Sequence, residues 1–325
     1  MTFSTLKASR KGRNLHTGSV FLLIGTLFCL LLILKNPEIA ADAVGNGLLL
    51  CAKSVVPSLF PFMVISELAV SANLIAYLPS RLLAPMRHAL GLSDAGCAAV
   101  LLGLLCGSPI GARCAVLALK QGKIEKREAE RILTCSLCPS SAFVIGALGI
   151  TLLKDRRLGI IIYFSALISA LLTGVLFRIV FGSAATSSDF SPPRPQKRSA
   201  ASLFTAAVAG ATGSILLVSA YVVFFSALMG ALGSVLGRFS SSAPLSAVLF
   251  CLLELSGGVG CAATLASPTL ALLLCSFAVG WSGLSVHCQL QSICEECGIS
   301  LRPYLLSKLL QGVLCTLLTA LSLCF

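Results

Sequence analysis

Charge is what this chain has least of. Aspartate and glutamate number 12 and lysine and arginine 24 in 325 residues, so charged side chains make up 11%, against about 25% in a typical soluble domain. That scarcity excludes an ordinary water-soluble enzyme. Catalytic groups are as sparse: there are three histidines, one of them in the basic N-terminal tail (His16) and one in the pair Arg87-His88. The sequence has no Gly-rich phosphate loop, no His-Glu-x-x-His, no Gly-x-Ser-x-Gly and no paired carboxylates. Neither an enzyme nor a bound cofactor is expected. What is present in excess is apolar: 57% of residues are hydrophobic and the mean hydropathy is +0.97. Inside the apolar runs sit many of the 28 glycines and 13 prolines, which a soluble fold would keep out of its core elements. The chain reads as an all-α polytopic membrane protein, with the lipid bilayer as its first partner.

The surplus of 12 positive charges is concentrated in four short clusters, Lys7 to Arg13, Lys120 to Arg131, Lys154 to Arg157 and Arg194 to Arg198. Such clusters read as cytoplasm-facing loops near anionic headgroups. No aromatic residues are interleaved with them and no soluble domain is long enough to form a groove, so nucleic acid is excluded as a partner. Fifteen cysteines would suggest a disulfide framework in a secreted chain, but nearly all lie within apolar runs, where a free thiol packs as a small hydrophobe. Cys135/Cys138 and Cys294/Cys297 form two Cys-x-x-Cys pairs. The spacing rule for joint zinc ligation belongs to compact soluble ribbons, and no metal is expected.

Residues 1–17 form a basic tail, and 18–44 an N-terminal anchor with its following loop. Gly18 to Leu34 is close to the roughly 20 residues a spanning helix needs. Ala41-Asp42-Ala43 resembles a cleavage site, but the run is longer than a usual signal core, and an uncleaved anchor with a cytoplasmic N-terminus is expected. A first membrane half follows at 45–181, a flexible polar linker at 182–202 containing Pro192-Pro193-Arg194-Pro195, and a second membrane half at 203–325. Several apolar stretches are interrupted: at Pro57 to Pro61, Gly107 to Gly111, Cys138 to Ser141, Glu254 to Gly258 and Gly280 to His287. Proline removes a backbone donor and glycine weakens a helix, so each interruption can free backbone groups at membrane depth, where they must face protein or a watery cavity. Paired short, Gly/Pro-interrupted segments in two halves point to a transporter-type site at a repeat interface. The basic loops cannot all face one side if every run crosses once. One or two runs are therefore re-entrant hairpins, 95–119 being the first candidate.

Ionisable groups inside apolar runs are costly and mark functional sites by default. Arg113 follows the Gly107 to Gly111 break, Glu254 opens one break of the second half and His287 closes another. Glu67, Lys53 and Arg178 are more peripheral, the last two placed to snorkel toward an interface. Arg113 beside freed helix ends could receive a carboxylate or phosphate. Glu254 could bind substrate, a proton or a coupling cation, or pair with Arg113 across the halves. His287, near Trp281, is either a titrating site residue or a satisfied core imidazole. The candidate substrate-binding set is Ser108, Gly111, Arg113, Ser140, Ser141, Glu254, Ser256, Trp281, Ser282, Ser285, His287 and Gln289; for the serines, bonding to neighbouring backbone is the plainer alternative.

Val56-Pro-Ser-Leu-Phe-Pro-Phe62 with Ser66-Glu67-Leu68, Gly107-Ser-Pro-Ile-Gly-Ala112, Gly122-Lys-Ile-Glu-Lys-Arg-Glu-Ala-Glu-Arg131, Gly283-Leu-Ser-Val-His-Cys-Gln289 and Arg302-Pro-Tyr-Leu-Leu-Ser-Lys308 together resemble the YlbJ-type sporulation integral membrane proteins. Relatives of that family carry the nucleoside-recognition, or Gate, domain. The resemblance covers roughly 45–325. It departs at Arg113-Cys114, where a lysine and an aliphatic residue are usual, and at Cys138-Pro-Ser-Ser141, which replaces a more Asn-rich break. The resemblance implies a fold similar to concentrative nucleoside transporters, with two hairpins and two broken helices meeting at mid-membrane. It also implies the outer forespore membrane of an endospore-forming bacterium, and movement of dipicolinate from the mother cell. The expectation is a transporter or facilitator of a small organic anion, dipicolinate foremost, compatible with a homo-oligomer. A nucleoside-like neutral solute and a non-transporting scaffold for spore-envelope assembly are the alternatives.

Overall fold

The computed structural model describes residues 17–72, 80–185, 199–239 and 242–323, and every regular element among them is helical. The basic tail and most of the polar linker lie outside the described residues. Among the described residues, five helices are long and apolar enough to cross a bilayer: Pro37–Ser71, Arg156–Phe181, Ala200–Gly237, Pro268–Glu295 and Arg302–Ser322. Leu83–Leu90 and Asp94–Cys106 form a further apolar pair bent by 100°, the geometry of a broken span or a re-entrant loop. Large apolar side chains point outward, Leu31, Ile179 and Val180 among them, while Glu67, Glu254, His287, Gln289, Lys308 and Gln311 are buried. Apolar outside and polar groups within is the pattern of a chain solvated by lipid. This is an integral, polytopic membrane protein.

The first elements are α1 (Thr17–Lys35), α2 (Pro37–Leu50), a π-helical stretch (Cys51–Val55) and α3 (Val56–Ser71). The interruption expected at Pro57 to Pro61 does not occur, since Pro37–Ser71 is one continuous helix of 35 residues. The physical reason lies just upstream. Val56 N–H reaches Cys51 O in the wider π spacing, which opens the turn where the Pro57 ring would otherwise strike a carbonyl of the preceding turn.

α4 (Ser80–Leu90) leads to α5 (Asp94–Cys106) and α6 (Ile110–Lys120). The last two fold back on each other: a Cβ on Gly103 would lie 2.7 Å from Gly111 Cα. The run 95–119 is thus a hairpin of arms too short to cross a bilayer. α7 (Lys126–Leu133) is followed by the unwound residues 134–141, a π-helix (Ala142–Leu152) and α8 (Arg156–Phe181). α9 (Ala200–Phe239) starts within the stretch assigned to the linker. Then α10 (Ala243–Leu253) and α11 (Leu255–Ala263) form a second hairpin, in which a Cβ on Gly258 would lie 2.5 Å from Cys251 Cα. α12 (Pro268–Trp281) and α13 (Gly283–Glu295) are one crossing broken at Ser282, and α14 (Arg302–Ser322) is the last helix.

The charged helix α7 ties one end of the bundle together. Glu128 accepts from Ser93 N (2.6 Å) at the start of α5, and Glu130 accepts from Ser300 N (3.0 Å) just before α14. Arg127 donates to Phe181 O (3.0 Å) and Arg131 to Phe177 O, both in the last turn of α8. Each carboxylate meets a helix N-terminus and each guanidinium a C-terminus, the favourable sense for the helix dipole. Within the cluster read as a loop near headgroups, Arg127 and Arg131 thus serve protein carbonyls. Lys123 donates to Val70 O (3.3 Å) at the end of α3, and Lys120 pairs with Glu296 just past α13. The hydrogen bond and charge of Lys120 hold the Glu296 carboxyl below its ordinary range, so that exposed tie is released as pH falls through the depressed value.

These ties give the elements their directions. α8 is 26 residues long, roughly 39 Å at 1.5 Å per residue, and ends at α7, so Arg156 lies at the far end. α9 runs antiparallel to Pro37–Ser71: Gly210 faces Glu67, and Asn36 Nδ2 donates to Ser234 Oγ (2.7 Å). Hence hairpin α5–α6 enters from the α7 end and hairpin α10–α11 from the far end. Each half contains a hairpin and a broken crossing, laid down in opposite senses. Thiol labelling in sealed vesicles checks this. Cysteines replacing Lys126 and Arg157 are expected to react from opposite sides, and reaction of both from one side would refute the arrangement.

Candidate functional site

In each half the hairpin tip docks on the break of the crossing helix. In the first half, Ser108 N donates to Cys138 O at 2.6 Å. Gly107 is in left-handed backbone (φ +92°), and a Cβ there would lie 2.9 Å from Ser140 N. In the second, Gly283 (φ +81°) brings its Cα against the tip, with a Cβ expected 3.0 Å from Glu254 Cα, and Trp281 Nε1 donates to Leu252 O at 3.1 Å. Only glycine meets both demands, a positive φ and no side chain at a backbone-to-backbone contact.

The two docked tips face a shared cavity. Its walls are Ser54, Val55, Ser58 and Leu59 of the π-bulged helix, Ser108, Pro139, Ser140 and Phe143 of the first half, Val218 and Val222 of α9, and Glu254, Leu255, Ser256, Ser282, Val286 and Gln289 of the second half. Helices α6, α11, α13 and the π-helix all begin at these breaks, so their positive ends converge there. Glu254 caps one of them, accepting from Ser256 N (3.0 Å) and Gly257 N (2.7 Å). It is the one titratable residue among those walls.

The unwound residues 134–141 are held from behind by α14. Lys308, fully buried, donates to Leu137 O (2.9 Å) and to Gln311 Oε1 (2.9 Å), and Gln311 Nε2 donates to Thr134 O (2.7 Å). Carbonyls freed by the break are thereby satisfied without water. The thiols of Cys135 and Cys138 reach the carbonyls of Arg131 (3.9 Å) and Ala166 (3.4 Å).

Of the residues singled out in the sequence, the fold brings Ser108, Ser140, Glu254, Ser256, Ser282 and Gln289 to the cavity. Ser285 stands behind Gln289, whose Nε2 donates to its hydroxyl at 3.3 Å. His287 is buried beside the cavity, edge to face with Trp281 at 4.3 Å, its Nδ1 sharing a 2.7 Å hydrogen bond with Tyr304 OH; Nε2 has no partner among the described residues. Gly111 packs on Ser136, and Ser141 precedes the π-helix. Arg113 does not pair with Glu254. Its fork grips Glu67, Nε at 3.1 Å and Nη2 at 3.2 Å, because α3 packs along α6 and carries the nearer carboxylate. The pair lines a second, smaller cavity. Sequence reasoning missed Lys308 and Gln311, although an ionisable residue inside the apolar run 303–325 was itself the signal. It also missed Ser54 and Ser58, which line the cavity from the π-bulged helix.

No protein-family model and no solved structure matches this chain. Over 159 residues it is 26% identical to the sporulation integral membrane protein YlbJ of Bacillus subtilis (strain 168). The match takes in 48% of this chain and spans 39% of that protein's length.

Proposed function

We propose that the protein carries a small organic anion across its membrane, with dipicolinate, leaving the mother cell across the outer forespore membrane, as the first candidate. The observation that carries the reading is the meeting of two hairpin tips and two broken crossings at one cavity. A bundle of plain spanning helices needs no such breaks, and each is sustainable only where protein or enclosed water receives the freed groups. Hairpins entering from opposite ends give each side of the cavity its own movable wall. A flat dicarboxylate suits the lining: its carboxylates meet the positive ends of α6, α13 and the π-helix and the hydroxyls of Ser108, Ser140 and Ser282, and its ring lies among Val55, Leu59 and Phe143. Likeness to a protein named for sporulation supports the same setting.

A neutral, nucleoside-like solute is the second reading, favoured by the lining itself, which includes a carboxylate and no lysine, arginine or histidine. In the anion reading Glu254 must be protonated, or the substrate must enter with a proton, for the two to share the cavity. Counterflow in proteoliposomes separates these readings. Labelled dipicolinate is expected to exchange, with a rate that falls as pH rises, and Glu254→Gln is expected to retain exchange and lose that dependence. Exchange of uridine without dipicolinate would favour the neutral solute, and exchange of neither would favour a scaffold.

A further inference from the structure

The second, much smaller cavity is lined by Met63, Ser66, Glu67, Pro109, Ile110, Arg113, Ser214 and Ile293. Its place follows from the helices that line both cavities. On α3 the sequence runs from Ser58 and Leu59 at the central cavity to Met63 and Glu67 at the second, toward the end held by Lys123. On hairpin α5–α6 it runs from Ser108 to Ile110 and Arg113, toward Lys120. On α9 it runs back from Val218 to Ser214, and on α13 forward from Gln289 to Ile293, toward Glu296. On all four elements the second cavity lies nearer the α7 end, by about a turn on α9 and α13 and directly beyond Ser108 on the hairpin.

We infer that the Arg113–Glu67 ion pair is the gate that shuts the central cavity from the α7 end, and that a carboxylate-bearing solute leaving by that end takes the place of Glu67 on the Arg113 fork. The pair joins the two walls that would have to part, α3 and the hairpin arm α6, through a two-point grip. It rests against bare backbone on the third wall: a Cβ on Gly210 of α9 would lie 2.5 Å from Glu67 Oε1 and 3.3 Å from Arg113 Nη2. A planar guanidinium that binds one carboxylate bidentately binds another in the same geometry. Exchange of partners spares Arg113 an unpaired state while the gate is open. The handover rests on the anion-carrier reading. The closure does not.

The test therefore uses a reporter that needs no substrate. Ser108→Cys places a thiol in the central cavity, and its reaction with an impermeant charged methanethiosulfonate is read by mass spectrometry of the peptide bearing residue 108. Vesicles that expose the α7 end are identified by labelling of Lys126→Cys. Adding Arg113→Gln with Glu67→Gln keeps the net charge and removes the grip, and labelling of residue 108 from the α7 end is expected to rise about tenfold. Gly210→Val wedges the pair apart with both charges in place and is expected to act in the same direction. The swap of Arg113→Glu with Glu67→Arg is expected to return the rate toward the parent. Parental labelling rates in the Gln pair, or in Gly210→Val should the Gln pair be lost from the membrane, would overturn the gate. Faster labelling in a chain that exchanges no dipicolinate would leave the gate standing and remove the anion reading; unchanged labelling with normal exchange would do the reverse.

Discussion

Lys308→Met is expected to cost more stability than either Gln311→Leu or Gly283→Val, and to abolish exchange. The ammonium is fully buried and donates to Leu137 O and Gln311 Oε1. Methionine fills a similar volume but leaves both acceptors without a donor, at about 1–3 kcal/mol each. The unwound residues 134–141 then lose the support that holds Pro139 and Ser140 in the cavity wall. Gln311→Leu, which frees only Thr134 O among backbone groups, is expected to cost less. Denaturation midpoints in detergent and protein abundance in membranes check the order. A methionine variant as stable as the parent would remove Lys308 from this role.

Gly283→Val is the second large effect. A β-branched residue in the left-handed region is strained by roughly 1–2 kcal/mol, and its Cβ would start 3.0 Å from the backbone of Glu254. Neither atom belongs to a flexible side chain, so the hairpin tip must lift off the break. The single tryptophan reports the event, since Trp281 donates to Leu252 O of that hairpin. A red-shifted emission and loss of exchange are expected. Gly260→Ala is the control: a Cβ there meets nothing within 4 Å, and alanine in a helix interior is favoured over glycine by roughly 0.5–1 kcal/mol. If Gly283→Val keeps the parental emission and midpoint, the tip does not depend on the close approach.

The polytopic helical class and the breaks that form the cavity were legible because glycine, proline and serine stand out against apolar runs. The hairpin at 95–119 followed from the same marks. Pro57 and Pro61 misled for a physical reason: a π turn ahead of Pro57 restores the helix, and nothing in residue type distinguishes that from a break. Arg113 pairs with Glu67 and not Glu254, a choice that belongs to helix packing. The charges of α7 read as a loop near anionic headgroups because the partners several of them serve are helix ends, whose partial charges leave no mark in a sequence.

The clamp on residues 134–141 also fixes an order of assembly. A chain is threaded into a membrane from its N-terminus, so the break between α7 and the π-helix is placed while α14 is still unmade. Until α14 arrives with Lys308 and Gln311, the carbonyls of Thr134 and Leu137 have no partner from it. The first half therefore stays provisional, in need of water or a holding factor, until α14 is made. It becomes permanent only when α14 closes behind it.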